Sequence, residues 1–213
     1  MALAIKVKDL SKSFKGEAIF SNINLDIEVG KIYGFTGHNG CGKTVLFKIL
    51  CGVIFPDSGE ITIMNKTLGK DIDFPNNVGA IIETPGFLTD YSGFKNLNYL
   101  ASIRQMIDDE QIKEAMKKVG LEPDSKKSVK KYSLGMKQRL GIAQAIMENP
   151  KILIMDEPMN SLDKSGVKQI RELLLSLKQQ DTTILMTSHM AEDINILCDH
   201  VYEFDQQTLI NVK

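Results

Sequence analysis

A glycine-rich segment near residue 40 carries the residue types that can hold a triphosphate. It runs Gly37-His38-Asn39-Gly40-Cys41-Gly42-Lys43-Thr44, with Val45 next, and it fits the spacing G-x-x-x-x-G-K-[ST]. Glycines let the backbone wrap closely around an anion, so that N–H groups point inward and the following helix adds its positive N-terminal end. Lys43 can then reach the β- and γ-phosphates, and the Thr44 hydroxyl can ligate Mg²⁺. We expect His38 and Cys41 to be spacers at the variable positions of a nucleotide-contacting loop.

Two adjacent carboxylates, Asp156 and Glu157, follow the apolar run Ile152-Leu153-Ile154-Met155. Ligands of an open α/β sheet bind at the carboxyl ends of its strands, so both side chains should face the phosphates. Because neighbouring strand residues point in opposite directions, two roles are expected. Asp156 would orient Mg²⁺, and Glu157 would polarise an attacking water. The alternative is an acidic pair at a strand end that simply faces solvent.

The elements that must position these groups form an α/β pattern. Apolar residues alternate with polar ones, with period two, in residues 3–7 and 23–29 and at Ile61 and Ile63. This pattern predicts half-buried antiparallel strands. The apolar runs 32–36, 152–155 and 183–187 predict buried parallel strands, with helices over 43–51 and 165–179. Strand, loop and helix in succession around residue 40 provide the context that a phosphate-binding loop requires.

A stretch of helical character interrupts this pattern from residue 91 to 147. Apolar residues recur there at helical spacing, as in Phe94, Leu97, Leu100 and Ile103. Gly120 is suited to end one helix, and another should begin near Ser133. We therefore expect a single domain over 1–213. It would have an α/β and antiparallel β core from 1–90 and 148–213, and an inserted helical subdomain at 91–147.

The composition sets further limits. The formal net charge of -1 gives no electrostatic reason to expect nucleic acid as a partner. Three cysteines indicate a reducing compartment rather than a disulfide framework. No apolar run approaches the roughly 18 residues needed to span a bilayer, and no signal peptide is expected. Any role at a membrane would then depend on a partner chain.

Taken together, the motifs resemble those of the ATP-binding subunits of ABC transporters. The resemblance covers nearly the full length of the chain, and the motifs follow one another in the same order as in that family. Tyr132-Ser133-Leu134-Gly135-Met136 lies where that family has its signature segment. The resemblance implies a P-loop NTPase core with a mostly parallel sheet. It also implies that Ser133 and Gly135 contact the γ-phosphate held by an opposite subunit. Ser133 would serve equally as an ordinary helix N-cap.

Three further residues gain roles from the same resemblance. Asp163 closes the Asn160–Asp163 segment that couples the two sites of a dimer. His189 matches the histidine that holds the γ-phosphate, and Phe14 matches the aromatic that stacks on adenine. The alternative for Phe14 is packing within a strand, and for His189 it is an ordinary surface or core histidine.

Two departures from the family pattern narrow the resemblance. Leu134 replaces a glycine of the signature, and Glu83 stands where a glutamine is usual. A carboxylate near Mg²⁺ and the attacking water changes the local charge, so Glu83 is a candidate for metal binding and catalysis. The alternative is a neutral substitution on a mobile loop. Two sequence patterns are similar to those of exporters of the bacitracin- and lantibiotic-resistance type. They are Ile-Ile-Glu-x-Pro-Gly-Phe, which contains Glu83, and Ser-Leu-Gly-Met, which contains Leu134.

The resemblance implies a Mg²⁺- and ATP-dependent ATPase that works as a homodimer with integral membrane permease subunits at the cytoplasmic face of the membrane. It would drive export of a peptide antibiotic or a similar amphiphile. Alternative functions are a soluble ABC ATPase acting on ribosomes, DNA or cluster assembly, a non-hydrolysing dimerisation module, and an importer subunit. Aromatic residues could line a groove for the permease or belong to the core of the helical lobe; they are Phe87, Tyr91, Phe94 and Tyr99.

Overall fold

The computed structural model describes residues 2–213, which form two β-sheets and six α-helices. The strands are β1 (Leu3–Phe14), β2 (Glu17–Glu28), β3 (Ile32–Thr36), β4 (Ser58–Ile63), β5 (Lys66–Thr67), β6 (Val78–Ile81), β7 (Ile152–Met155), β8 (Thr183–Thr187), β9 (His200–Asp205) and β10 (Thr208–Asn211). The helices are α1 (Lys43–Leu50), α2 (Gly93–Arg104), α3 (Asp109–Lys118), α4 (Leu134–Ile146), α5 (Lys164–Lys178) and α6 (Ala191–Leu197).

The first sheet is antiparallel and has the order β2-β1-β4-β5. Its alternating apolar residues face inward, as the period-two pattern predicts; Ile5, Val7, Ile61 and Ile63 are all buried. Helix α1 packs in the same cluster through Leu46, Phe47, Ile49 and Leu50. The helix that follows the glycine-rich loop is therefore held between this sheet and the second one.

The second sheet has the order β10-β9-β3-β8-β7-β6 and is parallel from β9 to β6. Strands β3, β7 and β8 are almost wholly buried, which confirms the parallel α/β core. The carboxyl ends of these three strands meet at one edge of the sheet. That edge carries the glycine-rich loop after β3, the two carboxylates after β7 and His189 after β8.

Three helices, α2, α3 and α4, occupy residues 93–146 and share a hydrophobic cluster with the second sheet. Ser133 is the N-cap of α4 and accepts a hydrogen bond from the Met136 N–H, at 3.2 Å. Gly120, with φ +76°, follows the end of α3 as expected. Helix α4 lies directly against β6, because a Cβ on Gly79 would come within 1.9 Å of the Ala145 carbonyl oxygen.

Some elements differ from the sequence-based expectation. Two strands near the C-terminus, β9 and β10, were not predicted from the sequence and pair with each other. Ile103, which continues the apolar spacing of α2, is 71% exposed and does not belong to the core. Within residues 2–213, none of the helices has both the length and the apolarity required to cross a bilayer.

Candidate functional site

The glycine-rich loop joins β3 to α1 and encloses the amino group of Lys43. The Lys43 Nζ donates to the carbonyl oxygens of Gly37, at 2.7 Å, and His38, at 3.0 Å, and the side chain is buried. Gly37 has φ +136°, and a Cβ there would lie 2.8 Å from the Cys41 Sγ, so this position requires glycine. The loop thus keeps a positive charge at its centre, next to the N-terminus of α1.

Residues 38–41 form the outer part of this loop. His38, Asn39 and Gly40 are exposed, and the His38 Nδ1 lies 2.9 Å from the Asn39 carbonyl oxygen. The Cys41 thiol faces inward and is buried, 3.6 Å from the Lys43 amino group. His38 therefore presents its backbone to the loop and its ring to solvent, and Cys41 fills space under the lysine.

Asp156 links the ends of three elements through its carboxylate. Its Oδ2 accepts from the Thr44 hydroxyl at 2.6 Å, and its Oδ1 accepts from the Thr187 hydroxyl at 2.7 Å. Thr187, at the end of β8, also accepts from the Glu157 N–H at 2.8 Å. The Thr44 hydroxyl and the Asp156 carboxylate, each predicted to act on Mg²⁺, thus lie side by side, and Thr187 ties both carboxylate residues to the neighbouring strand.

Glu157 turns away from Asp156 and faces His189. Its backbone is left-handed, with φ +52°, and its Oε1 lies 3.2 Å from the His189 Nε2. Burial raises the pKa of the Glu157 carboxyl, while His189, through its charge and its backbone N–H, acts in the opposite direction. Among the described residues, Oε1 is buried without a hydrogen-bond partner of good geometry. A buried carboxylate oxygen in that condition is suited to accept a proton from a bound molecule.

Glu83 lies in a cleft of about 290 Å³ between the strand ends and the start of α4. The cleft is lined by Glu83, Thr84, Pro85, Leu134, Lys137, Gln138, Asp156, Glu157, Asn160 and Ser161. The Glu83 carboxylate does not bond to the Asp156 group; its Oε1 accepts from the Lys48 Nζ on α1 at 2.8 Å. The loop after β6 is therefore connected by an ion pair to α1, the helix that follows the glycine-rich loop.

The signature segment and the segment at 160–163 touch each other within the chain. A Cβ on Gly135 would lie 2.7 Å from the Ser161 carbonyl oxygen, so the two backbones are in close contact. Asp163 is the N-cap of α5, accepts from the Gly166 N–H at 3.0 Å, and is exposed. Ser133 and Leu134 are also exposed, so this part of the site faces outward.

Phe14 stands at the end of β1, opposite Glu17 of β2. The same hairpin reaches the phosphate loop, because a Cβ on Gly42 would lie 3.0 Å from the Ile19 Cγ2. The Phe14 ring is 43% exposed, and the Lys12 ammonium lies over it, 5.1 Å from its centroid. The ring is thus free to contact a planar group beside the loop.

Three contacts of the site were not predicted from the sequence. They are the two hydrogen bonds of Thr187, the ion pair of Lys48 with Glu83, and the bonds of Gln138. The Gln138 Nε2 on α4 donates to the carbonyl oxygens of Glu157 and Pro158, at 3.2 and 3.1 Å. Thr183 and Thr187 stand at the two ends of an apolar strand, and this pattern does not indicate which of them bonds to the site. No local signal marks Lys48 or Gln138.

Comparison with known proteins agrees with this geometry. The profile of the ABC transporter family matches residues 20–160. The chain is 45% identical over 205 residues to the uncharacterized ABC transporter ATP-binding protein YybJ of Bacillus subtilis, covering 96% of this chain and 94% of that one. It is 41% identical to the bacitracin transport ATP-binding protein BcrA of Bacillus licheniformis over 94% of its length, but it spans only 66% of BcrA.

Two further matches concern a lantibiotic transport protein and a solved structure. The lantibiotic transport ATP-binding protein SrtF of Streptococcus pyogenes is 36% identical, over 92% of this chain and 85% of its own. A dimeric ATP-binding cassette in a post-hydrolysis state, bound to ADP and Pi, superposes with a TM-score of 0.86 at 20% identity, over 98% of this chain and 99% of its own. That structure has the same fold. From the family match and these relatives, the chain belongs to the ABC transporter family and is an ATPase of that family.

Proposed function

We propose that the chain is the Mg-ATP-hydrolysing, nucleotide-binding subunit of an ABC exporter and acts as a head-to-tail homodimer. The main support for this proposal is that the carboxyl ends of β3, β7 and β8 lie next to each other. Lys43 and Thr44 lie after β3, Asp156 and Glu157 after β7, and His189 after β8. This places a cation, oxygen ligands and a buried carboxylate at one edge of the sheet, where an α/β protein binds its ligand.

The phosphate loop would hold the triphosphate through its backbone N–H groups and the Lys43 ammonium. The contacting residues are Gly37, His38, Asn39, Gly40, Cys41, Gly42, Lys43, Thr44 and Val45. In the described structure the Lys43 ammonium bonds to two loop carbonyl oxygens, so phosphate oxygens would replace these acceptors. Phe14 would stack on the adenine ring, since it lies on the hairpin that packs against Gly42.

The residues beside the loop fit a magnesium ion. The Thr44 hydroxyl and the Asp156 carboxylate lie 2.6 Å apart, and both are hard oxygen donors of the kind Mg²⁺ takes together with phosphate oxygens and water. When bound, the metal would neutralise charge on the phosphates. Glu83 could join this group only after its ion pair with Lys48 opens.

In hydrolysis, a water oxygen would attack the γ-phosphorus in line while the bond from that phosphorus to the β,γ-bridging oxygen breaks. The bridging oxygen keeps the electron pair and leaves as part of ADP, and the transferred group leaves as inorganic phosphate. Glu157 would accept the proton of the water through its Oε1, which lies beside the His189 ring without a hydrogen bond of good geometry. Lys43 and His189 would stabilise the charge on the transferring group.

The outward-facing signature supports a dimeric arrangement. Ser133, Leu134 and Asp163 are exposed in the chain, whereas Cys41, Gly42 and Lys43 of the phosphate loop are buried. In a head-to-tail dimer, Ser133 and Gly135 would contact the γ-phosphate held by the other subunit, and Asp163 would couple the two sites. The N-terminus of α4, capped by Ser133, supplies the positive helix end for that contact.

An apolar surface supports a membrane-embedded permease as partner. Tyr91, Tyr99 and Ile103, on and just before α2, are 50, 62 and 71% exposed, and Val53, Phe55 and Phe74 are exposed as well. Phe87 and Phe94 instead pack partly against the core. We take residues 91–147 as the helical subdomain. It would transmit the closure of the ATP-bound dimer to the permease at the cytoplasmic face of the membrane.

The proposed cargo is a peptide antibiotic or a similar amphiphile, and nucleic acid is not a proposed partner. The support comes from relatives whose names state bacitracin transport and lantibiotic transport. Glu83 and the Ser133-Leu134-Gly135-Met136 signature are the features of this chain that led to the same subgroup.

Gentle detergent extraction of membranes that carry a tagged chain, followed by mass spectrometry, would test this proposal. We expect a polytopic membrane protein to copurify in stoichiometric amount, and we expect its loss when Ile103 is changed to Asp on the exposed face of α2. An Asp substitution of Lys70, which is exposed on the antiparallel sheet side, serves as the control. Recovery with ribosomal or DNA-bound partners would contradict the exporter function.

A further inference from the structure

We propose that Asp57 is a positioning residue for nucleotide-base binding, because it fixes the end of β1 so that Phe14 offers one ring face to adenine while Lys12 covers the other. This inference rests on the stacking role proposed for Phe14. It assigns a function to the turn between α1 and β4, which lies outside the phosphate loop, the carboxylate pair and the signature.

Asp57 binds each of the three residues that precede Phe14. Its Oδ1 accepts from the Lys12 Nζ at 2.7 Å, and its Oδ2 accepts from both the N–H and the hydroxyl of Ser13, each at 2.6 Å. Its own N–H donates to the Ser11 carbonyl oxygen at 2.9 Å. One residue therefore holds Ser11, Lys12 and Ser13 in place from outside their strand.

The strand pairing of this segment is irregular. The pairing of β1 with β2 shifts register between Leu10 and Lys12 and again between Lys12 and Ser13. The pairing of β1 with β4 shifts between Lys8 and Ser11. Because the register is irregular here, the bonds to Asp57 add a second restraint to the cross-strand pairs of Lys12, Ser13 and Phe14.

Lys12 transmits this restraint to the aromatic ring. Its ammonium is bonded to Asp57 and lies 5.1 Å from the centroid of Phe14, in the range of a cation–π contact. The Lys12 side chain is only 13% exposed, whereas Phe14 remains 43% exposed. A ring held on one face and open on the other is preorganised for a planar ligand, so less conformational entropy is lost on binding.

The charge state of Asp57 is suited to a permanent restraint. Hydrogen bonds from Lys12 and then from Ser13 lower the pKa of the Asp57 carboxyl to about 2. A carboxyl with a lowered pKa stays ionised even at pH values below its usual titration range, so Asp57 loses its charge only as the pH falls towards about 2. The restraint is thus present throughout the pH range in which the enzyme would work.

Isothermal titration of the full chain with ATP and with inorganic tripolyphosphate would test the inference. We expect Asp57→Ala to raise the Kd for ATP by roughly three- to tenfold, the range of one aromatic stacking contact. The Kd for tripolyphosphate should change less than about twofold, because that ligand has no base. Asp57→Asn should lose less than Asp57→Ala, since its amide oxygen can still accept from Ser13.

Two further variants distinguish failure of the stacking role of Phe14 from failure of the positioning role of Asp57. Phe14→Ala measures the whole contribution of base stacking, and Asp71→Ala is a matched control, because Asp71 bonds to a backbone N–H in another turn of the same sheet. If Phe14→Ala leaves the Kd for ATP unchanged, the stacking role itself is wrong, and this inference falls with it. If Phe14→Ala weakens ATP binding but Asp57→Ala does not, the positioning role alone is overturned. Equal weakening of ATP and tripolyphosphate by Asp57→Ala would also overturn it, since the aspartate would then only support the fold.

Discussion

The phosphate-binding side and the signature side of this chain are built differently. On the phosphate side, Lys43 is buried within its own loop, and Asp156 bonds to hydroxyls from α1 and β8. On the signature side, Ser133 is exposed, Leu134 is 70% exposed, and Glu83 is held only by an exposed ion pair with Lys48. In the proposed dimer, one half of each nucleotide site would thus be organised within the chain, while the other half presents its groups outward.

The two sides also differ in how strongly their hydrogen bonds and ion pairs hold them in one conformation. Buried hydrogen bonds among charged and hydroxyl groups are costly to break, so the phosphate side is preorganised before any ligand binds. Exposed ion pairs contribute little stability and are easily exchanged for other contacts. A site that must open and close in every cycle needs a rigid half and an adaptable half.

The largest expected effect comes from Glu157→Gln, on the organised side. The variant keeps the shape of the side chain but cannot accept the proton of water, so turnover should fall by about 10²- to 10⁴-fold while ATP binding is retained. Steady-state ATPase assays and equilibrium titration would measure the two effects. A matched Glu114→Gln change on the exposed face of α3 should alter neither. Normal turnover in Glu157→Gln would show that another group is the base.

Lys43→Ala should weaken the binding of ATP. Removing the charged donor at the centre of the loop should weaken ATP binding by about 1.5–3 kcal/mol, or roughly 10- to 150-fold in Kd. Fluorescence titration with ATP, compared with Lys113→Ala on α3, would check this. An unchanged Kd would mean that the loop does not hold the triphosphate.

Thr187→Val tests whether the organised side depends on its buried network. The substitution removes the bonds to Asp156 and to the Glu157 N–H at a position with no exposed surface, so the free energy of unfolding should fall by about 1–3 kcal/mol. Urea denaturation would measure it, with Thr208→Val at an exposed hydroxyl as the control. Wild-type stability in Thr187→Val would show that these bonds are not significant.

Glu83→Gln should have the smallest effect in the isolated chain. The ion pair with Lys48 is exposed, so its loss should change the free energy of unfolding by less than about 1 kcal/mol and the Kd for ATP by less than about twofold. The ATPase rate in the complex with the membrane partner should change more than either quantity. Comparable losses in binding and in coupled rate would place Glu83 in nucleotide binding instead of coupling.

The parts of the site that could be predicted are those set by local sequence. The phosphate loop, α1 and the N-cap Ser133 each depend on residues a few positions apart. Thr187 and Lys48 could not be found in this way, because their partners are 31 and 35 residues distant and meet them only through the arrangement of β7, β8 and the loop after β6.

The two aspects of the fold that differed from expectation have the same cause. Helical spacing alone included Ile103 in the apolar face of α2, but the width of that face is limited by what packs against it. Residues 208–211 are recognisable as a strand only when β9 is known to be their partner. Sequence patterns indicate which residues are apolar, and tertiary packing decides which of them are covered.

A mixing experiment tests most directly whether a site is shared between two chains. Lys43→Ala has an intact signature, and Leu134→Asp has an intact phosphate loop but places a carboxylate at the exposed start of α4, where the proposed dimer would bring the phosphates bound by the other subunit. Each variant alone should have little ATPase activity. We predict that mixing them restores a substantial part of the wild-type rate, because half of the sites in a mixed dimer combine an intact loop with an intact signature. Activity no greater than the sum of the separate variants would contradict the head-to-tail dimer.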